Sequence, residues 1–246
     1  MISKNQIKFI KQLELKKYRR REGLFVAEGP KVVGDLVESG FIPSLIFSTD
    51  KWIVPCNIQQ SVLVTEEELH KISFLQNPQD VLGIFEIPHP KLLHDNGLIL
   101  ALDGVQDPGN LGTIIRIADW FGISTIYCSS DTVDAWNPKV VQATMGSIAR
   151  VDIIYTDLAE LLAKAKVPIY GTLLDGENIY AHPLSRDGII VMGNEGNGIT
   201  ENVRKLLTDK LLIPHFHNGN SHAESLNVAI ATAITCSEFR RRHYDY

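Results

Sequence analysis

The hydrophobic pattern of this chain switches repeatedly between a helical and a strand period. "NQIKFIKQLEL" spaces Ile7, Phe9, Ile10, Leu13 and Leu15 for a short amphipathic helix. "LFVAEG" predicts a strand ending at Gly29, and "PKVVGDLVESG" a helix with Pro30 in its first turn and Gly40 at its stop. "SLIFST", "SVLVT" and "VLGIFEI" predict further strands, with "EEELHKIS" a helix before the last of them. "PHPKLLHDNG" interrupts this alternation with Pro88, Pro90, Asp95 and Gly97. The boundary therefore divides the chain into a small domain over 1–90, a linker over 91–97 and a second domain over 98–246.

The alternation then restarts. "LILALDG", "TIYCSS", "IARVDIIYT", "PIYGTLL", "GIIVMG" and "KLLIP" predict strands. "NLGTIIRIADWFG", "NPKVVQATMG", "DLAELLAKAK", "TENVRKLLT" and the closing "SLNVAIATAITCSEFRRR" predict helices. Several strands are almost continuous apolar runs, the signature of a mostly parallel sheet covered on both faces. The fold class is α/β. Ligands in such sheets sit in the loops at the carboxyl ends of strands.

Three polar loops occupy such positions. In "LDGVQDPGNLGTIIRIA", Asn110 stands where a helix begins and has the chemistry of an N-cap. Arg116 lies between Ile115 and Ile117, where an arginine snorkels, pairs with an acid or holds a phosphate in its planar fork. In "VMGNEGNGIT", three glycines follow a strand without a lysine to reach phosphates, and Glu195 would repel them. A nucleoside triphosphate is therefore a poor match. Glu195 suits a cationic or hydroxyl-bearing ligand, or is a loop acid beside a helix N-terminus. In "LLIPHFHNGNSHAESLNVAIATAI", Ser225 and Asn227 precede an alanine-rich helix as caps or as site residues. His215, His217 and His222 lack a zinc-like pattern, so no metal is expected.

Composition adds less. The net charge of −5 over 246 residues argues mildly against a nucleic-acid partner. Its distribution argues the other way: eight Lys/Arg, including Lys16, Lys17, Arg19, Arg20 and Arg21, stand against Glu14 alone between Lys4 and Arg21. The run is either a solvated helix face or a phosphate-binding patch, and the same choice applies to Arg240, Arg241 and Arg242. Cys56, Cys128 and Cys236 lie far apart and are expected to be reduced thiols. No apolar run approaches the roughly 18 residues of a membrane span. The expected location is the cytoplasm.

Taken in order, the three loops resemble the three motifs of the SpoU (TrmH-like) RNA 2′-O-ribose methyltransferases of the SPOUT superfamily. Asn110 and Arg116 in "NLGTIIRIAD" match the first motif, "VMGNEGNGI" the second, and "LIP" with "SLNVAIATAI" the third. "RRREGLFVAEGPKVV" and its surroundings resemble an L30e-like substrate-binding domain. The link "HFHNGNSHAE" is longer and richer in histidine than the family's usual short glycine-containing one. The resemblance implies a deep trefoil knot, a rare exception to the avoidance of knots. It implies S-adenosylmethionine held largely by backbone groups of Thr172, Gly193, Ile213 and Leu226, with Gly193 letting the chain approach the methyl donor. It also implies a homodimer, an RNA partner over Lys16, Lys17, Arg19, Arg20 and Arg21, and no metal or membrane.

The implied reaction is in-line attack of a ribose 2′-hydroxyl on the sulfonium methyl, which demands alignment and removal of a weakly acidic proton. Arg116 is the key residue by resemblance. Free arginine stays charged beyond about pH 12, so phosphate positioning fits it better than a base role. Asn110, Ser225 and Asn227 orient the ribose and loop, and Glu195 holds the motifs together through Arg116 or a backbone donor. Ribosomal RNA is the expected substrate. The other readings are a transfer RNA substrate, a small-molecule substrate, and a catalytically silent knotted RNA-binding or assembly factor.

Overall fold

The computed structural model describes residues 2–55, 58, 60–89, 97–216 and 225–243. They fall into two compact units. The first contains residues 1–89 and 134–150, the second 90–133 and 151–246. The 91–97 linker lies, Gly97 apart, outside the described residues, as do Cys56, His217 and His222.

The first unit opens with α1 (Lys4–Gln12), held by a reciprocal capping box between Ser3 and Gln6. The basic run forms a separate helix, α2 (Lys16–Glu22), which stops at the left-handed Gly23. β1 (Leu24–Glu28), α3 (Pro30–Glu38), β2 (Pro43–Ser48), β3 (Ser61–Leu63), α4 (Glu66–Ile72) and β4 (Val81–Glu86) follow. The strands lie in the order β1-β4-β2-β3, antiparallel except for the β2–β3 pair. Ile10 and Leu13 close the core over Val26, Phe47, Leu69 and Leu82.

Residues 134–150 come after the next sheet has begun, yet they pack with this first unit. They carry α6 (Pro138–Ala143) and a 3-10 turn at Ser147–Ala149. The Trp136 ring lies 4.6 Å from that of Phe25, and Arg150 pairs with Asp35 at 3.2 Å. Arg19 bonds to Asp134 through Nε at 3.0 Å. Nothing in the local pattern of "NPKVVQATMG" separates a helix of this unit from one of the next, because pattern reports period and not partner.

The second unit contains β5 (Leu98–Asp103), α5 (Pro108–Trp120), β6 (Thr125–Cys128), β7 (Asp152–Tyr155), α7 (Leu158–Ala163), β8 (Ile169–Asn178), β9 (Gly188–Gly193), α8 (Glu201–Arg204), β10 (Asp209–Leu212) and α9 (Val228–Arg242). Its six strands lie in the order β10-β8-β9-β5-β6-β7, and every pairing is parallel. Ile99, Ala101, Ile189 and Val191 share a core with Leu158 and Leu162 of α7 and Val203 of α8. The alternate residues Leu100, Leu102, Ile190 and Met192 are buried as well. Both faces are therefore covered, as the continuous apolar runs predict.

The closing arginines serve this packing. Arg240 donates to the carbonyls of Phe121 and Gly122 at 2.7 and 3.0 Å, which fastens α9 to the end of α5. Arg241 and Arg242 each bond to the buried Glu238, at 2.7 Å. Glu238 is held below the usual carboxylate range, chiefly by the Arg241 hydrogen bond. This triplet builds structure and is not a spare phosphate patch. Cys128 and Cys236 are buried, and burial pushes both thiols up, Cys236 to about 12.

Candidate active site

β5 and β9 are neighbours in register from Leu98↔Gly188 to Asp103↔Gly193. The loops that leave their carboxyl ends therefore emerge side by side. The first runs from Gly104 into α5. Its N-cap is Asp107, whose Oδ1 accepts from the Asn110 backbone N–H at 2.8 Å. Asn110 is thus the third residue of the helix and not its cap. Its side chain is left free for other work.

That work is visible on both sides of the amide. Asn110 Nδ2 donates to Glu195 Oε1 at 2.9 Å, and Asn110 Oδ1 accepts from Asn227 Nδ2 at 2.9 Å. Asn227 caps α9, with its Oδ1 accepting from the backbone N–H of Ala229 at 2.9 Å and of Ile230 at 3.3 Å. The chemistry fixes each orientation. Backbone N–H groups require the Asn227 oxygen, so its nitrogen faces Asn110; the carboxylate requires the Asn110 nitrogen. One chain of hydrogen bonds joins the loop after β5, the loop after β9 and the start of α9.

Glu195 also accepts from the backbone N–H groups of Gln106 and Asp107, both at 3.3 Å. Partial burial pushes its carboxyl up, but the Asn110 and backbone hydrogen bonds outweigh this and hold it below the usual range. Glu195 is an ionised acceptor that acts through Asn110 and backbone donors; no bond joins it to Arg116. Arg116 is exposed between the buried Ile115 and the half-buried Ile117, and no ion pair engages it among the described residues. Ser225 is exposed and makes no hydrogen bond among the described residues.

The turn after β9 closes on itself. Asn194 and Gly198 exchange backbone hydrogen bonds at 2.9 and 3.0 Å. A Cβ on Gly193 would stand 2.3 Å from the Gly198 carbonyl carbon, and Gly198 has φ of +68°. Glycine at 193 is therefore demanded first by this turn and only secondarily by any ligand. Nothing in the sequence distinguishes Asn194, because an asparagine in a glycine-rich turn is ordinary.

The candidate cofactor residues line the neighbouring strand ends. β8 pairs with β9 up to Gly171↔Val191, and Thr172 follows, its hydroxyl reaching the Val191 carbonyl at 3.4 Å. β10 pairs with Gly171 at Lys210, then jumps to Glu177 at Leu211, so residues 172–176 bow out of the sheet. Ile213 follows β10 directly and is half-buried. Thr172 thus stands where β8 parts from β9, Gly193 ends β9 and Ile213 follows β10, on three adjacent strands. Leu226 is 50% exposed just before α9.

No lysine or arginine stands between Gly193 and Thr200. The donor set is backbone groups with one ionised carboxylate, which suits a cationic sulfonium and amine and not a polyphosphate. Among the described residues no group of three or more His, Cys, Asp or Glu side chains is arranged to hold a metal.

In the first unit, Lys17, Arg20 and Arg21 are exposed on α2. Lys17 and Arg21 each lie 4.9 Å from the Tyr18 ring centre. Arg19 departs from the expectation of a basic surface run. It is 1% exposed, and besides Asp134 it bonds to the Leu13 and Glu14 carbonyls at 2.8 and 2.7 Å. A seven-residue helix must turn one side inward, and Arg19 is on that side.

Residues 97–237 match the SpoU rRNA Methylase family, and residues 4–83 match the MRM3-like substrate binding domain. The 23S rRNA (guanosine(2553)-2′-O)-methyltransferase RlmP of Bacillus subtilis is 31% identical over 246 residues, 97% of each chain. A TrmH-family structure from Porphyromonas gingivalis is 41% identical with a TM-score of 0.88, over 98% of this chain and 99% of that one. The AdoMet-bound rRNA methyltransferase of Sinorhizobium meliloti is 31% identical with a TM-score of 0.87, over 100% and 98%. The all-parallel sheet with its strand-end loops is that of an S-adenosylmethionine-dependent RNA methyltransferase. The chain belongs to the SpoU rRNA methylase family.

Proposed function

We propose that this protein methylates a ribose 2′-hydroxyl of ribosomal RNA. The observation that carries the reading is the Glu195–Asn110–Asn227 chain, which joins all three candidate loops at the strand ends. S-adenosylmethionine supplies a methyl group activated on a sulfonium. Backbone groups at Thr172, Gly193, Ile213 and Leu226 hold it, within the knot expected of the family. Asn110, Asn227 and Ser225 orient the ribose. Arg116, exposed and without an acid partner among the described residues, anchors the RNA phosphate beside the reacting hydroxyl. Glu195 stays ionised and braces the loop.

Lys17, Arg20 and Arg21, with Lys16 beside them, contact the RNA backbone from α2, and Tyr18 offers a ring between two cations. Two chains pair through α5 and α9. Trp120 at the end of α5 is 85% exposed and Ile230 on α9 is 52% exposed, an apolar surface that a second copy would cover. No described helix is long and apolar enough to cross a membrane, which accords with work on ribosomal RNA in the cytoplasm.

Mapping of 2′-O-methyl groups in ribosomal RNA from a deletion strain tests the reading. Loss of one mark, restored by the intact gene and not by an Arg116→Ala variant, is the expected result. An unchanged ribosomal map would overturn it.

A further inference from the structure

Asn194 is the neighbour of Glu195, and its side chain makes three hydrogen bonds of its own. Nδ2 donates to the Gly104 carbonyl at 2.7 Å. Oδ1 accepts from the backbone N–H groups of Gly196 and Asn197, both at 2.9 Å. The partners leave no choice of orientation, because a carbonyl only accepts and an N–H only donates. One end of the amide thus shapes the turn that carries Glu195, and the other end grips the loop that carries Asn110.

Gly104 is held from every side. Its N–H donates to Ser129 Oγ at 2.8 Å, and that hydroxyl shares a hydrogen bond with Thr132, which reaches back to the Leu102 carbonyl at 3.1 Å. Its φ is +76°, and a Cβ there would stand 3.0 Å from Asp131 Oδ2 and 3.7 Å from Asn194 Cβ. The strand ends of β5, β6 and β9 therefore meet at one residue. Asn194 donates to the 104–107 loop where it leaves β5, while Glu195 accepts from that loop two and three residues later. Two consecutive side chains of opposite polarity clasp the same loop.

We propose that Asn194 is a positioning residue for methyl transfer: its amide sets the 104–110 loop against Glu195 and thereby aims Asn110 and Asn227. The proposal rests on the catalytic reading of the site. It requires a group that donates and accepts at once, which a carboxylate does not do.

Asn194→Asp is the discriminating variant, since it keeps size and the acceptor but loses the donor. The ionised carboxyl would also add negative charge next to Glu195 in the turn and opposite Asp131 across Gly104. In single-turnover assays on ribosomal RNA at pH 8, its methyl-transfer rate is expected to fall about tenfold, the scale of one hydrogen bond replaced by repulsion. Affinity for S-adenosylmethionine by calorimetry is expected to stay within about threefold of the unsubstituted chain. As the pH falls, the variant's rate relative to the unsubstituted chain is expected to climb, because a protonated carboxyl regains an O–H donor for the Gly104 carbonyl. Asn194→Ala should fall as far and show no such recovery. Amide hydrogen exchange supplies an arm independent of turnover: Gln106 and Asp107 should exchange faster in Asn194→Asp at pH 8. Equal rates and equal exchange in Asn194→Asp would overturn the proposal, as would a loss of rate that does not change with pH. Faster exchange in a protein whose unsubstituted chain transfers no methyl to RNA would leave the clasp standing and remove the catalytic reading instead.

Discussion

Two polar constellations hold this protein together, and they differ in what water can reach. Arg19 in the first unit is 1% exposed, bonded to Asp134 and two backbone carbonyls. Glu195 in the second unit lies in an exposed turn, bonded to Asn110 and two backbone N–H groups. A buried charge without its partner has nowhere to recover its solvation, so the first constellation is a matter of stability. The second can exchange its bonds with water at small cost, so its value is geometric. The lesson is that a charged residue inside a basic run and a charged residue inside a glycine-rich turn exchange the roles that sequence position suggests.

Removing Arg19 should break the comparison most severely. Arg19→Ala strands Asp134 and is expected to cost about 3–5 kcal/mol in urea unfolding of the whole chain. A loss below about 1 kcal/mol would mean that the pair is solvated after all. Arg116→Ala comes next. A fall in methyl transfer of about 10²–10³ is expected, the scale for removing one preorganised charge-stabilising donor, with cofactor affinity and melting temperature nearly unchanged. Normal turnover would remove Arg116 from the site.

Glu195→Gln sharpens the contrast from the other side. It replaces the ionised acceptor by a neutral amide, and about a tenfold loss of rate is expected with less than about 1 kcal/mol of stability. The sign of its pH dependence follows from its lowered value. A carboxyl depressed in the folded state contributes above its unfolded value of 4.5 and loses that contribution as pH falls through the lower folded value. Loop protection measured by hydrogen exchange should therefore hold at pH 6 and weaken below about pH 4.5, and in Glu195→Gln it should not respond to acid. The smallest effect belongs to the exposed cations. Lys17→Ala, Arg20→Ala and Arg21→Ala should each reduce the slope of RNA affinity against salt by about 0.7–1. A slope that does not change would place RNA elsewhere on the protein.

Much of the fold was legible in the sequence because it rests on local period. The strands "LILALDG" and "GIIVMG" became β5 and β9, and "IARVDIIYT" contains β7. The basic run showed its composition but not its orientation. No pattern of Lys and Arg reveals which of five cations turns inward, since the answer depends on Asp134, 115 residues away. Within the site, Asn110, Glu195 and Asn227 were legible through their motifs. Their mutual bonds were not, and neither was Asn194.

By itself, the sequence determined the alternation of strands and helices, the covered parallel sheet and the family whose motifs the three loops repeat. These follow from side-chain period and from residue types at fixed local spacing. Only the tertiary structure decided that residues 134–150 pack with the first unit, that Arg19 is buried while Arg20 and Arg21 are not, and that Asn110 reaches Glu195 and Asn227. Each of those depends on where chain segments far apart in sequence meet, and a hydrogen bond or an ion pair exists only where the fold sets its two ends within about 3 Å.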